Sequence, residues 1–302
     1  MVVAGLLPAM GSLTVTNLLG NHLDAESAKM LSEVAKQKGI SLCGIHRDQT
    51  TAVFTAVFFY RGLGPPEAIL LASDLLQASV TGALTSLNLS SNQLCGIWTD
   101  WNGEHGTFTT EGITAIADAL RVNGVLTSLN LGDNQLCGLD GYGRGTYTAD
   151  GITAIADALR VNGALTALYL SSNYLKDEGV SAVCKAIQSD KKTKLASLNF
   201  GNNGIGPVGA NAVAVMVVVT GSLTSLDLSK NRLGAEGAAA LAPALAANGS
   251  LTSLNLGHNQ LCGLDEYGRG TYTADGITAI ADALRVNGAL TQVLATRDSD
   301  AP

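Results

Sequence analysis

The chain has 302 residues, 46% of them hydrophobic and only 14% charged, which argues against disorder and leaves room for one large core or an elongated array. A formal net charge of −7 argues against nucleic acid and anionic membranes as default partners, because both are recognised through basic patches. The five cysteines, Cys43, Cys95, Cys137, Cys184 and Cys262, form no CxxC pair, and an odd number of scattered thiols points to a reducing, cytoplasmic setting.

In chain order, the opening "MVVAGLLPAMGSL" lacks the positive region of a signal peptide and runs straight into repeat-like sequence at Leu13, "LTVTNLLGNHL". A soluble intracellular protein is expected. Residues 41–81 are irregular. Within them "AVFTAVFFY", Ala52 to Tyr60, is too short to cross a bilayer. Its Phe54, Phe58, Phe59 and Tyr60 are expected either to plug a junction or to form a sticky patch. "GLGPPEAILLASDLLQA" predicts a helix started by proline. Residues 1–83 therefore form degenerate repeats and an irregular junction.

From Leu84 a frame L-x-x-L-x-L-x-x-N-x-L recurs, starting at Leu84, Leu126, Leu165, Leu195, Leu223 and Leu251, with a truncated copy at Leu290. The steps after Leu165 are 30, 28 and 28 residues, whereas the steps after Leu84, Leu126 and Leu251 are 42, 39 and 39. Alternating leucines describe a short strand with one face buried. The asparagine satisfies backbone groups left unpaired where the strand bends, and stacked copies make a ladder of Asn92, Asn134, Asn173, Asn203, Asn231 and Asn259, with Asn21 in the weaker early copy. A helix-period segment follows each strand. In "DGITAIADALRVNG", Ile152, Ile155, Ala156 and Leu159 share a face, Asp150 is the expected N-cap and Gly163 the expected left-handed stop. Such units bury their leucines against one another. Residues 84–295 form the regular array, and 296–302 a disordered tail.

This frame resembles the leucine-rich repeat family, and within it the ribonuclease-inhibitor-like subclass, which includes the repeat regions of NOD-like receptors and the Ran GTPase-activating protein. The resemblance implies an α/β solenoid, a horseshoe with parallel strands on the concave face and helices on the convex face. It also implies a non-enzymatic scaffold or ligand-binding module for proteins. Its alternatives are a regulator of a small GTPase, similar to Ran GTPase-activating protein, and a sensing fragment of a NOD-like receptor.

The longer steps have a local cause. Asn231 to Gly237 spans six residues, but Asn259 to Gly276 spans 17, so eleven residues are inserted between strand and helix. The insert "CGLDEYGRGTYTAD" nearly repeats "CGLDGYGRGTYTAD", and a third insert lies between Asn92 and Gly112. Residues 126–166 and 251–291 differ only at 133/258 and 141/266. The inserts hold seven of the 14 aromatic residues, namely Trp98, Trp101, Phe108, Tyr142, Tyr147, Tyr267 and Tyr272, together with Arg144 and Arg269. Two readings stand for them. Either they form a contact surface rich in aromatic and arginine side chains, or their rings fold back on the loop and the solenoid edge.

The glycines in "GYGRGTY" match neither a phosphate loop, which needs a lysine, nor a dinucleotide fingerprint. Asp140 and Asp150 are too isolated for calcium, and "HRD" at 46–48 lacks the other kinase motifs. His46, His105 and His258 read as exposed polar residues. No enzyme activity, metal or cofactor is expected. Cys95, Cys137 and Cys262 each follow "NQL" and read as buried or half-buried packing residues. The concave face is chemically plain, with Ser86, Asn88, Ser90, Ser128, Asn130, Ser197, Asn199, Ser225, Asp227, Ser253 and Asn255 pointing outward and Tyr169 its one aromatic. Val215, Val218 and Val219 place apolar surface on the convex side. The candidate protein-binding residues are Trp98, Trp101, Phe108, Tyr142, Arg144, Tyr147 and Tyr169. The partner is a protein, with no nucleic acid and no membrane.

Overall fold

A computed structural model describes residues 12–54, 62–100, 103–189, 193–265 and 268–295. The aromatic run Phe58, Phe59 and Tyr60, the tail from residue 296, and Trp101 and Tyr267 lie outside the described residues. The chain divides into two compact units, Met1–Leu165 and Thr166–Pro302.

The first unit runs α1 (Ala25–Lys38), β1 (Thr51–Val53), α2 (Pro65–Leu75), α3 (Ala78–Thr81), β2 (Ser86–Asn88), the pair β3 (Ile97–Asp100) and β4 (Gly103–Gly106), α4 (Glu111–Val122), β5 (Ser128–Asn130) and α5 (Asp150–Leu159). Strands β1, β2 and β5 are parallel and in register through Ala52, Leu87 and Leu129. The second unit alternates β6 (Ala167–Tyr169), α6 (Lys176–Ser189), β7 (Ser197–Asn199), α7 (Pro207–Val219), β8 (Ser225–Asp227), α8 (Gly234–Ala247), β9 (Ser253–Asn255), α9 (Asp275–Val286) and β10 (Gln292–Leu294). Its five strands are parallel, stacked through Leu168, Leu198, Leu226, Leu254 and Val293. Each unit is thus a stretch of leucine-rich repeat solenoid, with a strand layer and a helix layer sharing one leucine core.

Three-residue strands follow from the frame. The leucines at the middle of β2 and β5 to β9 are 0–1% exposed, while the residues on either side are half-buried. The chain then bends inside the stack, and the frame asparagine serves the bend. Asn231 Oδ1 accepts the backbone N–H of Asn203 at 2.9 Å and of Ile205 at 3.0 Å. Its Nδ2 donates to the Leu228 carbonyl at 2.8 Å and the Phe200 carbonyl at 3.1 Å. Asn203 does the same one repeat earlier, accepting from Asn173 and Leu175 and donating to Leu170 and Phe200. Asn92, Asn134, Asn173 and Asn259 are also buried in the ladder. Asn259 keeps its two carbonyls, Leu228 and Leu256, but its Oδ1 is buried without a partner among the described residues. Asn21 departs from the expectation. It is exposed and reaches only its neighbours' carbonyls, Leu18 and Leu19.

The helix ends also depart from it. Asp150 is the first helical residue rather than the cap, and its N–H donates to Thr148 Oγ1 at 3.2 Å. Gly163 is not left-handed. The stop is Asn162, whose Oδ1 accepts from the N–H of Ala164 and Leu165 and whose Nδ2 donates to the carbonyls of Leu120 and Asn123. Asn123, Asn248 and Asn287 repeat this arrangement. A second asparagine series therefore pins the helix-to-strand bends. Where α7 has only Gly206 at its cap, Asp177 of the preceding repeat supplies the acceptor for Gly206 N–H at 2.6 Å and Gly209 N–H at 3.0 Å.

The irregular stretch after α1 hangs on one buried acid. Asp74 of α2, 0% exposed, accepts from Ser41 Oγ at 2.8 Å, Leu42 N at 2.9 Å and Cys43 N at 3.0 Å. Burial pushes its carboxyl above the usual range despite those donors. The proline-started helix forms as expected, with Glu67 accepting the N–H of Gly64 at 3.0 Å. On α7 the valines are exposed as expected, Val215, Val218 and Val219 being joined by Val208.

Removing a ladder asparagine strands backbone groups, so Asn203→Ala or Asn231→Ala should cost about 1–3 kcal/mol in urea denaturation. Asn259→Ala should cost less than either, and Asn21→Ala should fall within about 0.5 kcal/mol of wild type. A loss below about 0.3 kcal/mol for Asn203→Ala would mean its side chain carries none of the bend.

No disulfide joins the five cysteines; four are buried and Cys262 is half-buried. Burial pushes the thiols of Cys43, Cys95 and Cys184 well up. Thiol labelling of native protein should therefore modify Cys262 first and leave Cys95 and Cys137 protected until denaturant is added. Equal, rapid labelling of Cys137 and Cys262 would contradict their different burial.

Candidate functional site

Each inserted loop opens at a cysteine and is closed at its base. The carbonyls of Cys95, Cys137 and Cys262 accept the N–H of Thr109, Thr148 and Thr273 at 2.9, 3.0 and 3.0 Å. The next residues, Gly96, Gly138 and Gly263, have φ of 83°, 74° and 76°. A Cβ there would lie 2.6, 2.5 and 2.3 Å from the carbonyl oxygens of Thr107, Thr146 and Thr271, so only glycine fits. Because the base is closed, what lies beyond it is free to vary.

Beyond the base, the first loop is the antiparallel pair β3–β4. Trp98 faces His105 across it, and the two rings stack with centroids 4.3 Å apart and planes 21° apart. His105 is thus a packing residue, half-buried, not the exposed polar group its sequence suggests. Phe108 is half-buried as well.

The second loop turns on Asp140, whose carboxylate is 0% exposed. Its Oδ1 accepts from Tyr142 N at 2.9 Å and Arg144 N at 2.7 Å, and its Oδ2 accepts from Arg144 Nε at 2.8 Å and Nη2 at 2.7 Å. Main-chain bonds Asp140 N to Arg144 O and Gly143 N to Asp140 O complete the turn. Arg144 also lies 4.9 Å over the Tyr142 ring. Burial raises the Asp140 carboxyl, but the donors from Arg144 and Tyr142 outweigh it and hold the group below the usual aspartate range. Tyr142 itself is 71% exposed. Tyr147 is half-buried on the returning side of the loop.

The third loop repeats the brace. Asp265 accepts from Arg269 N at 2.8 Å and Nε at 2.7 Å, with Tyr272 66% exposed.

The structure thus gathers Trp98 and Phe108 on one loop and Tyr142, Arg144 and Tyr147 on the loop of the next repeat, both in the first unit. Tyr169 is half-buried on β6 in the second unit. Arg144 braces its loop through Asp140. On the strand face, Asn88, Asn130, Asn199, Asp227 and Asn255 each accept the N–H two residues on, at 2.8–3.1 Å. Those side chains are partly committed to their own turns. Their recurrence at one place in the frame was a signal for this, read only as outward polarity. Among the described residues no three His, Cys, Asp or Glu side chains could hold a metal ion, and no helix is long and apolar enough to cross a membrane.

A family model described as Leucine Rich repeat matches residues 164–184, 191–214 and 222–242. No curated protein matches the sequence. Among solved structures, the chain is similar to the leucine-rich repeat-containing protein LegL7 from Legionella pneumophila, at 16% identity and a TM-score of 0.43, over 97% of this chain and 87% of that one. It is also similar to the tropomodulin C-terminal domain of Caenorhabditis elegans, at 12% identity and TM-score 0.37, over 63% and 84% of the two chains. Leiomodin-1 Actin-Binding Site 2 gives 17% identity and TM-score 0.37 over 65% and 83%. The fold is that of a leucine-rich repeat solenoid, and three of its repeats, between residues 164 and 242, match the family's model.

Since the Asp140 pKa is lowered in the fold, its contribution is fully present above the unfolded value near 4 and is lost as pH falls through that value towards the folded one. The Arg144 Nε–H resonance should be protected from exchange at neutral pH and lose protection on acidification through that window. Asp140→Asn should weaken the protection at every pH.

Proposed function

We propose that this chain is a non-enzymatic protein-interaction module of the ribonuclease-inhibitor-like kind, working in the cytoplasm, and that its binding surface is built on the two inserted loops of the first unit. The observation that supports this most is Tyr142, 71% exposed on a loop whose turn is held by Asp140 and Arg144. A ring presented by an already ordered loop loses little freedom on binding, which is the property of an interface anchor. Trp98, ordered by its stack with His105, is the second anchor. Strands β2 and β5, which lead into these loops, are paired in register. Phe108, Tyr147 and Trp101 flank the anchors in sequence, and Tyr169 is assigned a lesser role. The free space of the strand face is lined by serines and by asparagines serving their own turns, which offers a partner little to grip. No arrangement among the described residues favours the GTPase-regulator or receptor-sensor alternatives.

Affinity capture with the intact chain, followed by titration of the captured protein, tests this reading. Trp98→Ala with Tyr142→Ala should weaken that partner by about 2 kcal/mol or more while the circular dichroism stays unchanged. Tyr272→Ala should matter much less. Normal binding by the double variant, with loss on changing Tyr169 and Asp227, would move the site to the strand face.

A further inference from the structure

Among the described residues five asparagines precede a glycine: Asn123, Asn162, Asn203, Asn248 and Asn287. At Gly204 the backbone needs the glycine, since φ is 67°. The other four pairs are the helix-to-strand bends, and there it does not. None of Gly124, Gly163, Gly249 and Gly288 is left-handed, and a Cβ at Gly124, Gly249 or Gly288 would meet nothing within 4 Å. What glycine still supplies at these bends is chemical. No side chain shields its nitrogen, which lies next to the amide of the asparagine before it.

In the folded array an attack by that nitrogen on the amide is blocked. Asn287 Oδ1 accepts the N–H of Ala289 at 2.9 Å and of Leu290 at 2.7 Å, and its Nδ2 donates to the carbonyls of Leu245 at 2.7 Å and Asn248 at 2.9 Å. Closing a ring also requires the glycine nitrogen to eclipse Cβ about the Cα–C bond, which the extended ψ of 113°, 126° and 122° at Asn123, Asn248 and Asn287 does not allow. The reaction therefore waits for the bend to open. The duplicated segments show how firmly each bend is held. Both copies read "RVNGALT". Asn162 and Leu165 are 6% and 2% exposed, whereas Asn287 and Leu290 are half-buried. Ile277 of α9 is 44% exposed where its counterpart Ile152 is 0%. Less buried apolar surface means a smaller cost of local opening.

We propose that Asn123, Asn162, Asn248 and Asn287 are deamidation sites gated by opening of the repeat, and that Asn287 reacts before Asn162. Once the bend opens, the glycine nitrogen gives its proton to water or hydroxide and bonds to Cγ. The Cγ–Nδ2 bond breaks and ammonia leaves. Water then opens the cyclic imide at one of its two carbonyls, giving aspartate or isoaspartate. One water enters and one ammonia departs, with no oxidant and no cofactor. The product does not restore the bend. A carboxylate has no N–H for the carbonyls of Leu245 and Asn248, and isoaspartate adds a methylene to the main chain. A repeat that has opened and reacted stays open, so the bend keeps an irreversible record of its opening.

The test is peptide mapping that separates asparagine, aspartate and isoaspartate, applied to the full chain kept at mildly alkaline pH with and without urea. In urea Asn162 and Asn287 should react within ~2-fold of one another, because their local sequences are the same. In native protein both should slow, and Asn287 should react at least ~10-fold faster than Asn162. Gly288→Ala, which the space and the backbone allow, should keep the circular dichroism and slow Asn287 at least ~10-fold in urea as well as in buffer. Asn287→Asp, the product made directly, should unfold at lower urea than wild type. The proposal is overturned if native and urea-treated chains react equally fast, if Asn287 does not outpace Asn162 in native protein, if Gly288→Ala leaves Asn287 unslowed in urea, or if Asn287→Asp unfolds at the wild-type midpoint.

Discussion

A chain that turns back on itself inside a stack of repeats must satisfy backbone groups that water cannot reach. Everything else in this molecule depends on how that is done. At the bends after β2 and after β5 to β9 the answer is an asparagine, because its amide donates and accepts at once. Asn203 and Asn231 each take N–H groups from the repeat before and give to carbonyls of both repeats. The bond is therefore between repeats as much as within one. At the opposite bend, Asn123, Asn162, Asn248 and Asn287 perform the complementary task. With both bends fixed by side chains, the leucines between them need no longer strand than three residues.

That division of labour explains why loops of very different length fit the same frame. The glycine after each loop cysteine lets the returning backbone close at a threonine, and the second residue of the helix that follows is a glycine, Gly112, Gly151 or Gly276, pressed against a leucine carbonyl of its own repeat. Between those two fixed points the insert bears no load for the array. It must then supply its own order, and two different devices do so: an aromatic–imidazole stack in one loop, and a buried aspartate under an arginine in the others.

The repeat frame, the strand register, the buried leucines and the ladder asparagines from Asn92 on were legible because periodicity and burial coincide there. The caps were less so. Asp150 and Gly163 have the right chemistry at nearly the right place, but Thr148 and Asn162 sit one or two residues nearer the groups that need them. Asp74 was illegible for a different reason: it lies on a helix, and the backbone it serves, Ser41 to Cys43, lies 31–33 residues earlier with no repeating pattern to connect them. The loops were legible as insertions and as aromatic surfaces. Their internal bracing was not, since an aspartate four residues before an arginine reads as an ordinary surface pair until burial is known.

The duplicated segments separate what a sequence encodes locally from what its neighbours impose. Both copies form the same hydrogen bonds between aspartate and arginine, the same base closure and the same asparagine stop. Yet Asp140 is 0% exposed and Asp265 22%, and Cys137 is buried where Cys262 is half-buried. The conformation of the loop is thus carried by its own residues, while its burial is set by the adjoining repeat.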